Sequence, residues 1–238
     1  MSLFTDTDLR TAMCTDKEWS DKDRIHIFPY EEECLTPVGY DVRVGNQYAS
    51  AIEAKLYRLA QNDKVVIKPR DTVLITTLEN IEMPVSRKVS AFITSKVSKV
   101  SKGLSHISTN IDPDWRGNLL IAIHNPSTRT VSLNHGEAFC TLNFISNISP
   151  STKDCGKEPG RSDVLIGGFV EDVKQSRDRE EKQAKTRSIK NIILKAVLII
   201  IPAAVGYYVF KSTPGFIAMT ALGVGLAGNI SWGRRRND

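Results

Sequence analysis

The stretch Asn110-Ile111-Asp112-Pro113-Asp114-Trp115-Arg116-Gly117, followed by the apolar run Leu119 to Ile123, decides how this chain is read. Asp112 stands before a proline, which biases it to extended or turn backbone. The β-branched and apolar residues around that turn favour strands. A carboxylate on such a turn has two readings. It is the rigid floor of a polar pocket, or it accepts local backbone N–H groups and only shapes the turn.

Outward from this turn, from Ile25 to about Ile148, apolar and β-branched runs recur between turn signals. They are Tyr40–Val44, Val65–Ile67, Thr72–Thr77, Val89–Ile93, Leu119–Ile123, Thr130–Leu133 and Phe139–Ile145. The separators are Gly45-Asn46, Lys68-Pro69-Arg70-Asp71, Met83-Pro84, Asn125-Pro126-Ser127 and Asn134-His135-Gly136. Short strands at this spacing predict a mainly β barrel or sandwich. The lack of long amphipathic helices between them disfavours a parallel α/β sheet. Thr5 or Asp6 caps a short helix running to Met13.

Charge divides the chain. Residues 1–173 hold 20 Lys and Arg against 23 Asp and Glu, whereas residues 174–238 hold 12 against 4. The formal net charge of +5 therefore belongs to the C-terminal quarter, where it flanks apolar segments. A membrane surface fits that placement better than direct contact with nucleic acid. Cys14, Cys34, Cys140 and Cys155 show no metal or disulfide spacing, and Cys140 reads as a small core residue. His26, His106, His124 and His135 are scattered and form no metal motif. Met1 to Met13 carries acids and no apolar stretch, so the expectation is a cytoplasmic first domain without a secretory signal.

Residues 149–168 read as a loop, and 169–190 as a charged, solvated linker helix in which Glu180, Glu181, Lys182, Lys185 and Arg187 interleave both signs. Asn191 to Phe210 carries a single charge, Lys195, and Phe216 to Trp232 carries none. Both approach the roughly 20 residues that cross a bilayer. Lys211-Ser212-Thr213-Pro214-Gly215 between them predicts a turn and hence a transmembrane helical hairpin. Lys182, Lys185, Arg187 and Lys190 before it, and Arg234, Arg235 and Arg236 after it, place both ends in the cytoplasm. Gly223, Gly225, Ala227 and Gly228 give the second helix a small-residue face, and Asn229 a polar one. The expected divisions are 1–148 for the β domain, 149–190 for the linker, 191–232 for the hairpin and 233–238 for a basic tail.

Six motifs in order now carry a resemblance. They are Asp6-Thr7-Asp8-Leu9; Gly39-Tyr40-Asp41-Val42-Arg43-Val44-Gly45; Lys68-Pro69-Arg70-Asp71 through Thr76-Thr77-Leu78-Glu79; Thr94-Ser95-Lys96; Ile111-Asp112-Pro113-Asp114-Trp115-Arg116-Gly117 with Asn125; and His135-Gly136-Glu137 with Leu142-Asn143-Phe144. Together they resemble the dCTP deaminase/dUTPase family over roughly residues 5–148. The resemblance implies a distorted jelly-roll or β-barrel protomer, a homotrimer with nucleotide sites at its subunit interfaces, and a deoxypyrimidine triphosphate ligand with Mg2+. It assigns ligand contacts to Asp41, Ser95, Lys96, Lys99, Asn110, Asp112 and Trp115. It makes Asp112 the catalytic residue if the protein turns over.

The same resemblance marks departures. The family's proton-shuttling glutamate, ten positions beyond Asp112, is Ala122, and an alanine carries no proton. Asn110 replaces an arginine, and Thr94, Ser95 and Lys96 replace an Arg-Ser-Ser phosphate motif. Lys99 stands where deaminases place a further arginine, and lysine holds phosphate as a point charge without the bidentate fork. Three functions follow. The first is a catalytically degenerate nucleotide sensor that controls a membrane effector, for instance in antiviral defence. The second is a membrane-tethered dCTP deaminase or dUTP diphosphatase. The third is a trimeric scaffold that binds nothing.

Overall fold

In the computed structural model, residues 2–106, 108–156, 161, 163–210 and 213–232 are described. They fall into two units, 1–174 and 175–238. The first unit opens with β1 (Ser2–Leu3), α1 (Asp6–Ala12), β2 (Met13–Cys14), β3 (Ile25–Phe28), β4 (Leu35–Thr36), β5 (Gly39–Ser50) and β6 (Lys55–Arg58). It continues with β7 (Lys64–Ile67), β8 (Thr72–Glu82), β9 (Val89–Ser95), α2 (Val97–Val100) and β10 (Ser105–His106). β11 (Asn110–Ile111), β12 (Arg116–His124), β13 (Val131–Asn134) and β14 (Ala138–Ser146) complete it. Thr5 caps α1 and forms a capping box with Asp8, so the helix starts where the sequence placed it.

Twelve strands form one sheet with the path β10-β12-β8-β5-β14-β9-β11, and β13 pairs separately with β7. Of the expected barrel, sandwich or distorted jelly-roll, a closed barrel is not formed by the described strands. β10 and β11 end the path and do not pair with each other. Register shifts between Val44 and Tyr48, between Ala138 and Cys140 and between Asn118 and Leu120 bend the long strands. Such bulges curve a sheet around its core without requiring its edges to meet. Gly45 lies at the first shift, where an added Cβ would sit 2.4 Å from the Thr77 carbonyl oxygen. Only glycine lets β5 approach β8 that closely.

Strict alternation along β8 buries Val73, Ile75 and Ile81 against Tyr40, Val42, Ile93, Ile121 and Phe144. The polar residues Thr77 and Glu79 occupy the same inward face. Thr77 uses its hydroxyl as acceptor for the Leu119 N–H at 2.9 Å, beside the β12 irregularity. Glu79 is fully enclosed and accepts from Arg43 Nε at 2.6 Å and Arg43 N at 2.9 Å. Arg43 also donates to the Pro29 carbonyl at 2.7 Å and pairs with Glu31. A buried ion pair with this many hydrogen bonds can repay its desolvation.

After β14 the chain does not leave the sheet freely. Asn147 N donates to Lys88 O at 2.7 Å, Ser151 N to Arg87 O at 3.1 Å, and Cys155 N to Asp114 Oδ2 at 2.8 Å. A π-helical turn, Asp163–Gly168, then buries Leu165 and leads into α3 (Phe169–Phe210). α3 runs unbroken through position 191, so the expected junction between linker and apolar segment lies inside one helix. The charged N-terminal half is rich in good helix formers, no Gly or Pro stands at the join, and Pro202 lies inside the apolar half.

In the second unit α4 spans Thr213–Trp232, so Thr213, Pro214 and Gly215 belong to a helix rather than to the expected turn. Proline is accommodated in a first helical turn because its missing N–H has no intrahelical partner there. A Cβ on Gly206 would meet the Gly215 carbonyl and Met219, and one on Gly223 would meet Leu198 and Ile199. The two helices therefore run antiparallel where they touch. Gly223 faces this contact, whereas Gly225 faces open space. Among the described helices, α3 alone is long and apolar enough to cross a bilayer; α4 offers only the shorter apolar segment Ile217–Leu226. Two spans are therefore not established by these helices. Lys211, Ser212, the basic tail 233–238 and the Asn229 side chain lie outside the described residues.

Candidate functional site

β9, β14 and β5 lie side by side, so residues far apart in sequence share one end of the sheet. The register sets Thr141 of β14 opposite both Thr94 of β9 and Asp41 of β5. Asp41 is buried, and Thr141 donates its hydroxyl to Asp41 Oδ1 at 2.6 Å. Lys96 Nζ pairs with the other carboxylate oxygen of Asp41. One turn further, in α2, Lys99 is buried and pairs with Glu137 Oε1. The other Glu137 oxygen accepts from Asn134 N at 2.8 Å. Ser95, the last residue of β9 and next to Lys96 in the chain, lies 2.5 Å from His106 Nδ1.

Asp41, Ser95, Lys96 and Lys99 thus come together. Sequence reasoning left out Thr141, Glu137 and His106, which complete the cluster. Glu137 belongs to a quoted motif, but its role as the counter-ion of Lys99 depends on the β13–β14 turn meeting α2. For His106 no sequence pattern gave a signal. Both lysines are charge-compensated by carboxylates within the chain, so an anionic ligand must compete with Asp41 and Glu137 for them.

Burial alone would push the Glu137 carboxyl up, but the hydrogen bonds from Lys99 and Asn134 outweigh it and hold the group below its ordinary value. A lowered carboxylate value stabilises the fold above the unfolded value, near 4.5, and that contribution fades as pH falls through the lower folded value. Lys99→Met should therefore cost about 1.5 kcal/mol near pH 7. The difference from wild type should shrink as pH falls below about 4.5. Thermal unfolding of both proteins between pH 3 and 7 checks this, and a pH-independent difference would contradict it.

The opposite end of β9 holds the other expected site residues. Asn110 pairs with Phe92 and Ile111 with Ala91, so Asp112 follows at the start of β9 rather than its end. Ala91 and Ser95 are four residues apart, about 13 Å along a strand. Within one chain, Asp112 is separated from the lysine cluster by most of that strand. The Asp112 carbonyl accepts from Trp115 N at 3.0 Å, closing the turn. Trp115 is buried and donates its indole N–H to Gly117 O at 2.9 Å, which places its ring in the core. Asn110 is exposed on the two-residue strand β11.

Ala122 faces the outer side of β12, opposite Leu74 of β8. It lines a cavity of about 300 Å³ with Leu74, Thr109, Leu120, Arg161 and Val164. Among the described residues that line it there is no carboxylate. Among the described residues, no three His, Cys, Asp or Glu side chains converge as a metal site. Within one chain the described residues thus gather no such cluster for the Mg2+ that the resemblance implies.

Known proteins resemble this chain over the β domain. A dCTP deaminase of Pyrococcus furiosus is 36% identical over 134 residues, covering 56% of this chain and 83% of that protein. A dCTP deaminase of Thermococcus kodakarensis is 34% identical over 134 residues, covering 56% and 84%. Among solved structures, the 2'-deoxycytidine 5'-triphosphate deaminase of Agrobacterium tumefaciens is 13% identical and covers 60% of this chain and 48% of that one, with a TM-score of 0.47. The dUTPase from phage phi11 of S. aureus is 18% identical and covers 56% and 97%, with a TM-score of 0.38. The family model for dCTP deaminase-like proteins matches residues 11–147. With more than half of its length matched in this way, the chain belongs to the dCTP deaminase-like family.

Proposed function

We propose that the β domain binds a deoxypyrimidine nucleotide without deaminating it, and that binding controls the apolar helices of the second unit at a membrane. The observation that carries this reading is Ala122. Deamination needs a group that moves protons at the base, and the cavity around Ala122 offers apolar walls and the Arg161 guanidinium instead. Ser95, Lys96 and Lys99 supply the phosphate contacts in the reading, and Asp112 the polar floor. These groups lie at opposite ends of β9, so a complete site needs Asp112 from one copy and the lysines from another. A homotrimer closes such a set. Its interface would cover the half-exposed outer residues Leu74, Leu78, Phe92 and Leu120. Mg2+ accompanies the triphosphate.

The exposed isoleucines of α3, among them Ile192, Ile193, Ile200 and Ile201, favour lipid as the solvent of that segment. In this reading α3 and α4 form a hairpin with both ends cytoplasmic, and each trimer gathers three such hairpins. A nucleotide-gated membrane effector, of the kind suited to antiviral defence, has this construction. A second reading, an active dCTP deaminase or dUTP diphosphatase, is favoured by the name of the relatives at 36% identity and by the presence of Asp41 and Asp112.

One experiment separates the readings. The full chain, purified in detergent, is incubated with dCTP, dUTP and the other deoxynucleotides with magnesium. Thermal shift and reaction products are then recorded together. The sensor reading expects a shift with a pyrimidine nucleotide and no deaminated base. At a ligand concentration a hundredfold above Kd the gain is about 2.7 kcal/mol. Release of uracil nucleotides or diphosphate would establish the enzyme reading. No shift with any nucleotide would leave only a scaffold.

A further inference from the structure

Three hydroxyls line the cluster at the end of β9. Thr141 donates to the Asp41 carboxylate and Thr94 to Asn143 Oδ1 at 2.7 Å, and both are spent on structure. Ser95 differs. It is exposed, and its partner is an imidazole, with Ser95 Oγ 2.5 Å from His106 Nδ1. The other ring nitrogen, Nε2, lies 3.2 Å from the Ile93 carbonyl oxygen.

That carbonyl fixes the tautomer. A carbonyl oxygen only accepts, so Nε2 must carry the hydrogen. In a neutral ring Nδ1 is then the lone-pair nitrogen, and Ser95 Oγ–H donates to it. Ser108 donates its hydroxyl to the same carbonyl at 2.6 Å, which holds the oxygen in place. β10 pairs with β12 through His106 and Ile123, which fixes the backbone that bears the ring. The arrangement has a hydroxyl, a base aimed at its proton, and a third group orienting the base. These are the parts of an activated nucleophile.

We propose that Ser95 and His106 form a base-activated hydroxyl that attacks a phosphoryl group delivered to the lysine end of the site. This rests on the nucleotide reading for the physiological donor, which would be a phosphoanhydride. The bond from Ser95 Oγ to phosphorus forms while the bond from phosphorus to its leaving group breaks. The leaving group departs with the electron pair, and the hydroxyl proton passes to His106 Nδ1. Phosphorus suits the surroundings because Lys96 and Lys99 follow Ser95 closely in the chain and offer cations to the displaced oxygens once an anion competes for them. The other titratable groups lining the cavity around His106 are Lys99, already paired with Glu137, and Cys140. Burial pushes the Cys140 thiol up to about 12, so it offers no thiolate to compete with the hydroxyl.

Diisopropyl fluorophosphate tests the pair without any nucleotide, because it has neither base nor sugar. Fluoride is its leaving group, and attack leaves a phosphoryl adduct on the serine. The full chain in detergent is treated between pH 5 and 9 and analysed by intact mass and peptide mapping. The expected result is one adduct on Ser95, forming faster at the alkaline end of that series than at the acid end. His106→Gln should slow labelling at least tenfold, Ser95→Ala should abolish it, and both should keep the wild-type Tm within a few degrees. If His106→Gln fails to fold, His106→Asn and the wild-type pH profile carry the test. No adduct at Ser95, or equal labelling rates with and without His106, overturns the proposal. A failure here with an intact nucleotide thermal shift removes the nucleophile and leaves the binding reading standing. Labelling with no nucleotide shift does the reverse.

Discussion

Replacing Arg43 by methionine is expected to destabilise the β domain by about 3–5 kcal/mol, because it strands a buried carboxylate. Glu79 has no exposure to solvent, and Arg43 supplies two of its hydrogen bonds. Burial pushes the Glu79 carboxyl above its ordinary value even with Arg43 present, and the Arg43 contacts oppose that rise. Removing the guanidinium therefore pushes it higher still. A carboxyl with a raised folded value favours the fold below its unfolded value and loses that contribution as pH rises through the folded value. The penalty of Arg43→Met should thus be smallest in acid and grow as pH rises above about 4.5, the ordinary value. At about 2–4 °C per kcal/mol for a domain of this size, the midpoint near pH 7 should fall by roughly 10 °C or more. The double variant Arg43→Met, Glu79→Leu should recover much of the loss, since neither charge is then buried alone. Calorimetry of the three proteins at pH 4 and pH 7 decides this. A single variant within 1 kcal/mol of wild type, or a penalty that shrinks as pH rises, would contradict it.

The second large effect concerns where the protein partitions. Val197 and Ile200 are exposed on α3, and in the membrane reading they face lipid. Each aspartate placed near the middle of a span costs about 2.5–3.5 kcal/mol of insertion free energy. Val197→Asp with Ile200→Asp should move the chain from the alkali-resistant membrane pellet to the supernatant or to aggregates. Wild type should remain in the pellet. If the double variant stays in the pellet, or wild type washes off, α3 does not cross a bilayer. The β domain is tested separately by its nucleotide shift, so this outcome leaves the ligand reading untouched.

Much of the fold was legible in the sequence because strands announce themselves locally. The runs at Thr72–Thr77, Val89–Ile93 and Phe139–Ile145 each lie within an observed strand. Alternation in β8 and the glycine of Asp41-Val42-Arg43-Val44-Gly45 needed no knowledge of distant partners. Barrel and sandwich could not be told apart from the sequence, because closure depends on whether the two edge strands reach each other. Bulges at Gly45 and Asn118 bend the sheet, but no local pattern says that β10 and β11 stay apart. In the helical part, composition marked the apolar stretches and the charged helix that precedes them. α3 carries its helix across the charged–apolar join, and α4 begins inside the expected turn.

The candidate site divides along the same line. Ser95, Lys96, Lys99, Asp41 and Asp112 were named from the resemblance of their motifs to those of the family. That Lys96 is neutralised by Asp41 and Lys99 by Glu137 follows from strands 5, 9 and 14 being neighbours, a long-range fact. Trp115 shows the same limit. Its place in the motif invited a role at the ligand, whereas its indole lies in the core on its own turn.

By itself the sequence determined a mainly β domain whose motifs resemble the dCTP deaminase-like family, an alanine at position 122, and an apolar, basic-flanked C-terminal quarter. These depend on residue identity, periodicity of two and local turn chemistry, all of which act within a few residues. Only the tertiary structure decided that Asp112 and the lysines occupy opposite ends of one strand, and that His106 faces Ser95. Backbone hydrogen bonding between strands and the packing of their inward faces choose which distant residues meet, and neither leaves a trace at the positions that end up in contact.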